Sequence, residues 1–218
     1  MHYINKLDTP GEHPLILQGK AGTLEAVLTV PAQIDSDYIA ILGHPHSLQG
    51  GTMNNKVVTT MARVFKELNI GSLRFNFRGV GQSEGAYDEG IGESEDMIAI
   101  AREWQRQRPS AHFIFAGFSF GSYVAYRSAA SFEGSLLITI APPVHHYDYT
   151  ELQPILQSWL IVQGNADEVV PADLVLDFAK NRQLPVLEFP DTGHFFHGKL
   201  LDLKAQLLDY VQTKVQSS

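Results

Sequence analysis

FIFAGFSFGSYVAYRSAA, residues 113–130, is the stretch on which the reading of the fold turns. A bulky apolar run, His112 to Ala116, enters the pentapeptide Gly117-Phe118-Ser119-Phe120-Gly121. A small-residue helical pattern through Ser122, Ala125, Ala129 and Ala130 leaves it. Gly-x-Ser-x-Gly alone is weak, because a Gly-Ser loop between two elements gives the same letters. With a buried strand before it and a helix after it, the pentapeptide reads as a nucleophile elbow, in which strand turns into helix too tightly for side chains at Gly117 and Gly121, and Ser119 is held out above the sheet.

Outward from this stretch, apolar strands alternate with helical stripes. Pro14–Gln18 and Leu24–Pro31 are expected as an edge hairpin closed by Gly19-Lys20-Ala21-Gly22, and Tyr38–Gly43 as a central strand. A helix over 55–68 should be capped by Asn54 or Asn55 and bury Val57, Val58, Met61, Phe65 and Leu68. Ile70–Phe77 (strand), Glu93–Gln107 (helix), Ser135–Ala141 and Trp159–Gly164 (strands), Ala172–Lys180 (helix), Leu184–Phe189 (strand) and Lys199–Val215 (amphipathic helix) complete the series. The pattern specifies one α/β domain over 1–218, with a mostly parallel sheet, helices on both faces and functional groups in the loops after strands.

Composition narrows the class. The 218-residue chain carries a formal net charge of −8 and no cysteine. The charges are interspersed, so neither nucleic acid nor an anionic membrane surface is an expected partner, and a thiolate nucleophile is excluded. No apolar run approaches the ~18 residues of a membrane span, and the N-terminal residues form no signal-type apolar segment, so a cytoplasmic protein is expected.

A serine hydroxyl needs a base to remove its proton, and that base needs a group to orient it. Two loops supply candidates: Asn165-Ala166-Asp167-Glu168-Val169-Val170-Pro171, and Pro190-Asp191-Thr192-Gly193-His194-Phe195-Phe196-His197. Ser119, Asp167 and His194 follow the chain order nucleophile, acid, histidine. Asp191 and His197 are rivals. The first is too close to His194 in sequence to face it well, and the second follows the loop apex where His194 sits.

At this level the chain resembles the α/β-hydrolase family, and within it the compact dienelactone hydrolase-like serine esterases. The resemblance rests on His44-Pro45-His46 with Gly50-Gly51-Thr52-Met53-Asn54-Asn55-Lys56, on Arg74-Phe75-Asn76-Phe77-Arg78-Gly79-Val80-Gly81 with Ser83 and Gly85, on the elbow, on Gly164, Asp167, Val170 and Pro171, and on Gly193-His194-Phe195-Phe196. It implies Ser119 as nucleophile, His194 as general base and Asp167 as its orienting carboxylate. It also implies an oxyanion hole from the backbone N–H of Phe120 and one from the loop after Tyr38–Gly43, with His46 the first choice and Ser47 the reserve. Dienelactone hydrolase itself uses a cysteine, so its substrate is not implied.

The expected activity is that of a carboxylesterase acting through an acyl-enzyme, falling on acidification as the base is protonated. Only 142–158 separate two strand ends where a lid would be inserted, so a small or absent lid and short or medium acyl esters are expected. Ser47, Phe118, Tyr147 and Phe195 are the substrate-binding candidates, with Tyr149 and Phe196 further candidates for lining the acyl pocket. Peptidase, thioesterase and acyltransferase activities use the same constellation, and a non-catalytic binding domain is the alternative of a different class. Histidines 44, 46, 145, 146, 194 and 197 show no zinc-binding spacing, and the glycines at 79, 81 and 85 miss the dinucleotide spacing by one residue, so no metal or cofactor is expected. Arg74 and Arg78 read as loop-bracing ion-pair residues. Monomer and homodimer are both open.

Overall fold

The computed structural model describes residues 3–34 and 36–216. Its strands are β1 (Gly11–Gln18), β2 (Thr23–Val30), β3 (Tyr38–Gly43), β4 (Gly71–Phe75), β5 (His112–Phe118), β6 (Ser135–Ile140), β7 (Leu156–Gly164) and β8 (Val186–Phe189). The helices are α1 (Lys56–Glu67), α2 (Ile91–Gln107), α3 (Phe120–Ala129), α4 (Ala172–Asn181) and α5 (Leu200–Gln216). All eight strands form one sheet in the order β1-β2-β4-β3-β5-β6-β7-β8. β2 pairs antiparallel with both β1 and β4, and every pair from β4 to β8 is parallel.

Period-two alternation along the central strands builds two cores. Ile39, Ile41, Phe113 and Phe115 face α2 and α3, meeting Met97, Trp104 and Val124. Their neighbours Ala40, Leu42, Ile114 and Ala116 face α1 and α5, meeting Val58, Phe65, Leu207 and Val211. A strand buried on both faces must be apolar throughout, which is why β3 and β5 read as continuous hydrophobic runs.

Most differences from the expected boundaries have local causes. β4 ends after Phe75 because the pairing runs out there: Asn76 N–H makes a last in-register bond to the Glu25 carbonyl of β2 at 2.8 Å, and Phe77 N–H turns instead to His44 Nε2 at 2.9 Å. α2 begins at Ile91 because the Glu93 carboxylate reaches back to the N–H groups of Gly90 and Asp88, both at 2.9 Å, and closes the first turn. β1 starts three residues early, at Gly11, and tolerates Pro14 because it is the outermost strand. Asn55 caps α1, its side chain accepting from Val57 N–H at 2.9 Å. Between β6 and β7, residues 141–155 contain no helix or strand, so no lid covers the carboxyl edge of the sheet.

Where β3 and β5 pass under α3, backbone meets backbone. A Cβ on Gly117 would lie 2.0 Å from the Gly121 carbonyl oxygen, and one on Gly121 would lie 2.4 Å from the Gly43 carbonyl carbon. Gly117 and Gly121 are thus required by close approach rather than by a positive φ, and Gly43 joins them in the same crossing.

Candidate active site

Ser119 stands between the last residue of β5 and the first of α3, at φ 54° and ψ −124°. A side chain held in this region costs on the order of 1 to 3 kcal/mol, stored here in a turn that projects the hydroxyl away from the sheet. His194 arrives from the loop after β8 and Asp167 from the loop after β7. The structure brings the three together: His194 Nε2 lies 3.1 Å from Ser119 Oγ, and His194 Nδ1 lies 2.8 Å from Asp167 Oδ2.

The hydrogen-bond pattern fixes who donates. Asp167 Oδ1 accepts from the N–H groups of Val169 at 2.9 Å and Val170 at 2.8 Å, while Oδ2 accepts from Gln163 Nε2 at 3.2 Å. A carboxylate can only accept, so His194 Nδ1 carries the proton and leaves Nε2 free to accept from the serine hydroxyl. Burial pushes the Asp167 carboxyl upward, but the bond from His194 and those from Val170 and Val169 outweigh it and hold the carboxyl below its ordinary range. Phe118 packs beneath the imidazole with ring centroids 4.9 Å apart, and Phe195 meets it edge-on at 5.0 Å.

The rivals lie elsewhere. Asp191 is exposed at φ 49°, its N–H bonded to Asn165 Oδ1 at 2.8 Å, as a turn residue. His197 is exposed and stacks on Phe195 at 5.9 Å. His44 is fully buried with both ring nitrogens in use, Nδ1 donating to the Pro45 carbonyl at 2.6 Å and Nε2 accepting from Phe77 N–H. Burial drives its pKa down to about 4, so the ring is neutral and has no lone pair left for a metal. Arg78 Nε donates to Asp96 of α2 at 2.7 Å and braces the loop after β4, as expected, whereas Arg74 lies within β4 and donates to Glu12 of β1 at 3.1 Å, tying strands rather than a loop.

Beside Ser119 a cleft of about 550 Å³ opens between α3 and the loops after β3, β4, β6 and β7. Phe120, the first residue of α3, and His46, which caps a short 3-10 turn at Ser47–Gln49, both line it next to the serine. Tyr147 lines it too. Phe118 does not, being fully buried on the α1/α5 face, and Phe195 is 42% exposed on the outer side of His194. Ser47 is also absent from the lining, its hydroxyl buried without a hydrogen-bond partner. Tyr149 and Phe196 are likewise fully buried and form no part of the lining.

Solved structures share the fold over nearly the whole chain. XC6422 of Xanthomonas campestris, an α/β serine hydrolase without a lid, is 42% identical with a TM-score of 0.90, covering 95% of this chain and 96% of that one. The chain belongs to the α/β serine hydrolases. An α/β serine hydrolase homologue from Coxiella burnetii is 41% identical with a TM-score of 0.84, over 91% of this hydrolase and 96% of that chain. RP471 of Rickettsia prowazekii, an uncharacterized protein, is 36% identical over 192 residues, 83% of this hydrolase and 80% of RP471. No family model matches the chain.

Sequence reasoning missed much of the hydrolase's cleft. Tyr123 and Arg127 line it because they follow Ser119 at intervals of four, on one face of α3. That spacing was a readable signal. Tyr87 enters from the loop after β4 and Ile91 from the first residue of α2, and no local pattern marks them.

Proposed function

We propose that the protein is a carboxylic-ester hydrolase that works through an acyl-enzyme on Ser119. The observation that carries this reading is the continuous chain from Ser119 Oγ through His194 to Asp167, at 3.1 and 2.8 Å. Ser119 Oγ attacks the ester carbonyl as its proton passes to His194 Nε2, and Asp167 stabilises the imidazolium. The oxyanion is held by the backbone N–H groups of Phe120 and His46, each contributing roughly 3 to 4 kcal/mol, with the N-terminus of α3 adding its dipole. The carbon–oxygen bond then breaks, the leaving alcohol takes the proton from His194, and water repeats the sequence to release the acid.

An open cleft without a lid supports esters of short or medium acyl chains. The test is reaction of the protein with a fluorophosphonate probe, read by intact mass, followed by p-nitrophenyl esters of increasing acyl length. Labelling of wild type but not of Ser119→Ala, with turnover falling beyond medium chains, is the expected result. An unlabelled, folded wild type overturns the reading.

A further inference from the structure

The cleft starts at Ser119 and follows α3 to Arg127, eight residues or about 12 Å along the helix. His194 does not line it. The leaving oxygen of an ester must take its proton from His194 Nε2, so the leaving group lies on the imidazole side and the cleft receives the acyl group.

The surroundings of this cleft are acidic. Glu89, Asp148 and Glu151 line it against one guanidinium, Arg127, while Asp88, Glu93 and Arg78 stand behind the wall and Arg182 acts on Asp148 from the end of α4. The Arg78 and Arg127 guanidiniums are already engaged, Arg78 by Asp96 at 2.7 Å and Asp88 at 3.6 Å, and Arg127 by Glu151, with the Tyr123 hydroxyl and Ser94 Oγ each at 3.2 Å. Burial holds His145 below the ordinary imidazole range, so it adds no positive charge at neutral pH.

Glu93 is wholly buried and makes no ion pair among the described residues; its oxygens accept from the backbone of Asp88 and Gly90. Its field reaches the cleft wall. Burial lowers the His46 imidazole and raises the Tyr147 hydroxyl; at both Glu93 favours the protonated form, and at His46 the neighbouring His146 opposes it. A carboxylate in a low-dielectric wall projects its charge into the cleft rather than losing it to solvent. The same wall presents aromatic rings: Tyr87 and Tyr147 each have their centroids 5.6 Å from Phe120, and Tyr123 stacks on Tyr147 at 4.5 Å. A net negative lining beside electron-rich rings is the chemistry that holds an organic cation.

We infer that the acyl group this cleft selects carries a cationic head, a quaternary or protonated amine a few bonds from the ester carbonyl. The inference rests on the ester-hydrolase reading and adds the substrate class. Three p-nitrophenyl esters of matched length test it: 4-(trimethylammonio)butanoate, its uncharged isostere 5,5-dimethylhexanoate, and the glutarate monoester. At low salt the expected kcat/KM order is cation, neutral, anion, with a preference of cation over isostere on the order of tenfold that shrinks as salt is added. Glu93→Gln and, separately, the exposed Asp148→Asn are expected to lower that ratio, which cancels any loss of folded protein. Turnover with the isostere equal to or better than the cation overturns this inference alone. A cation preference that neither variant changes also overturns it. No turnover of any ester removes the hydrolytic reading and this inference with it.

Discussion

Two histidines sit in loops at the carboxyl edge of the same sheet, both almost fully buried, both with each ring nitrogen hydrogen-bonded, and both packed on a phenylalanine. His44 faces a backbone carbonyl and a backbone amide; His194 faces a carboxylate and a hydroxyl. The amide at His44 Nε2 is a donor that never gives up its proton, and burial dominates that ring's titration, with the Pro45 carbonyl opposing it only in part. At His194 the group on Nε2 can surrender its proton and the Asp167 carboxylate can offset the resulting charge. Burial therefore suits a histidine to be a brace; the partners on its two nitrogens are what suit it to be a base.

The sharpest way to break this contrast is to delete each ring's chemistry in turn. Ser119→Ala or His194→Ala should lower kcat/KM on p-nitrophenyl butyrate by about 10⁵ to 10⁶, measured in single-turnover assays that exclude contaminating esterase. His44→Gln should stay within about tenfold of wild type. Comparable losses at the two histidines would erase the distinction.

Asp167→Asn comes next, with an expected loss of about 10³ to 10⁴, because an amide in that place can donate to Nδ1 and leave the proton on the wrong nitrogen. The Val169 and Val170 N–H groups that bind Oδ1 should hold the substituted side chain in place, so the loss should appear in kcat with the thermal midpoint little changed.

A smaller effect is read in stability. The His44 pKa is about 4 in the folded protein against an ordinary 6.5, so above pH 6.5 neither state binds a proton there. As the pH falls from 6.5 towards 4 the unfolded chain takes up a proton that the folded one refuses, and stability drops by up to about 3 kcal/mol. Urea unfolding at pH 7.5 and 4.5 should show this loss in wild type and a flatter dependence in His44→Gln, whose Oε1 can still accept from Phe77 N–H. The smallest change is expected for Phe118→Leu, at about 1 to 2 kcal/mol of stability and a few-fold drop in kcat as the support under His194 loosens.

The fold was legible because its signals are local. β3 is uniformly apolar between turn residues and coincides with the expected 38–43, and Asn55 precedes a clear helical stripe. Ser119, Asp167 and His194 were readable from their positions after strands, since a parallel sheet gathers such loops at one edge. The cleft wall was not, because lining depends on where loops cross. Phe118 looked like a pocket residue beside the serine, yet the strand's alternation turns it to the opposite face, under His194. Glu93 marked only the expected start of a helix, and its burial is set by the 88–90 loop folding back over it.

The crossing of Gly43, Gly117 and Gly121 ties the loop that begins at His44 to the turn that carries Ser119 through main-chain atoms alone. The gap between the two proposed oxyanion donors is therefore gauged by covalent geometry and by the thickness of two peptide planes, with no rotamer in the linkage. The side chains of His46 and Gln49 can be exchanged to reshape the mouth of the cleft while that gap stays constant. A single methyl group at any of the three glycines would reset it, so the freedom to diversify this enzyme's specificity is bounded by three positions outside the cleft lining.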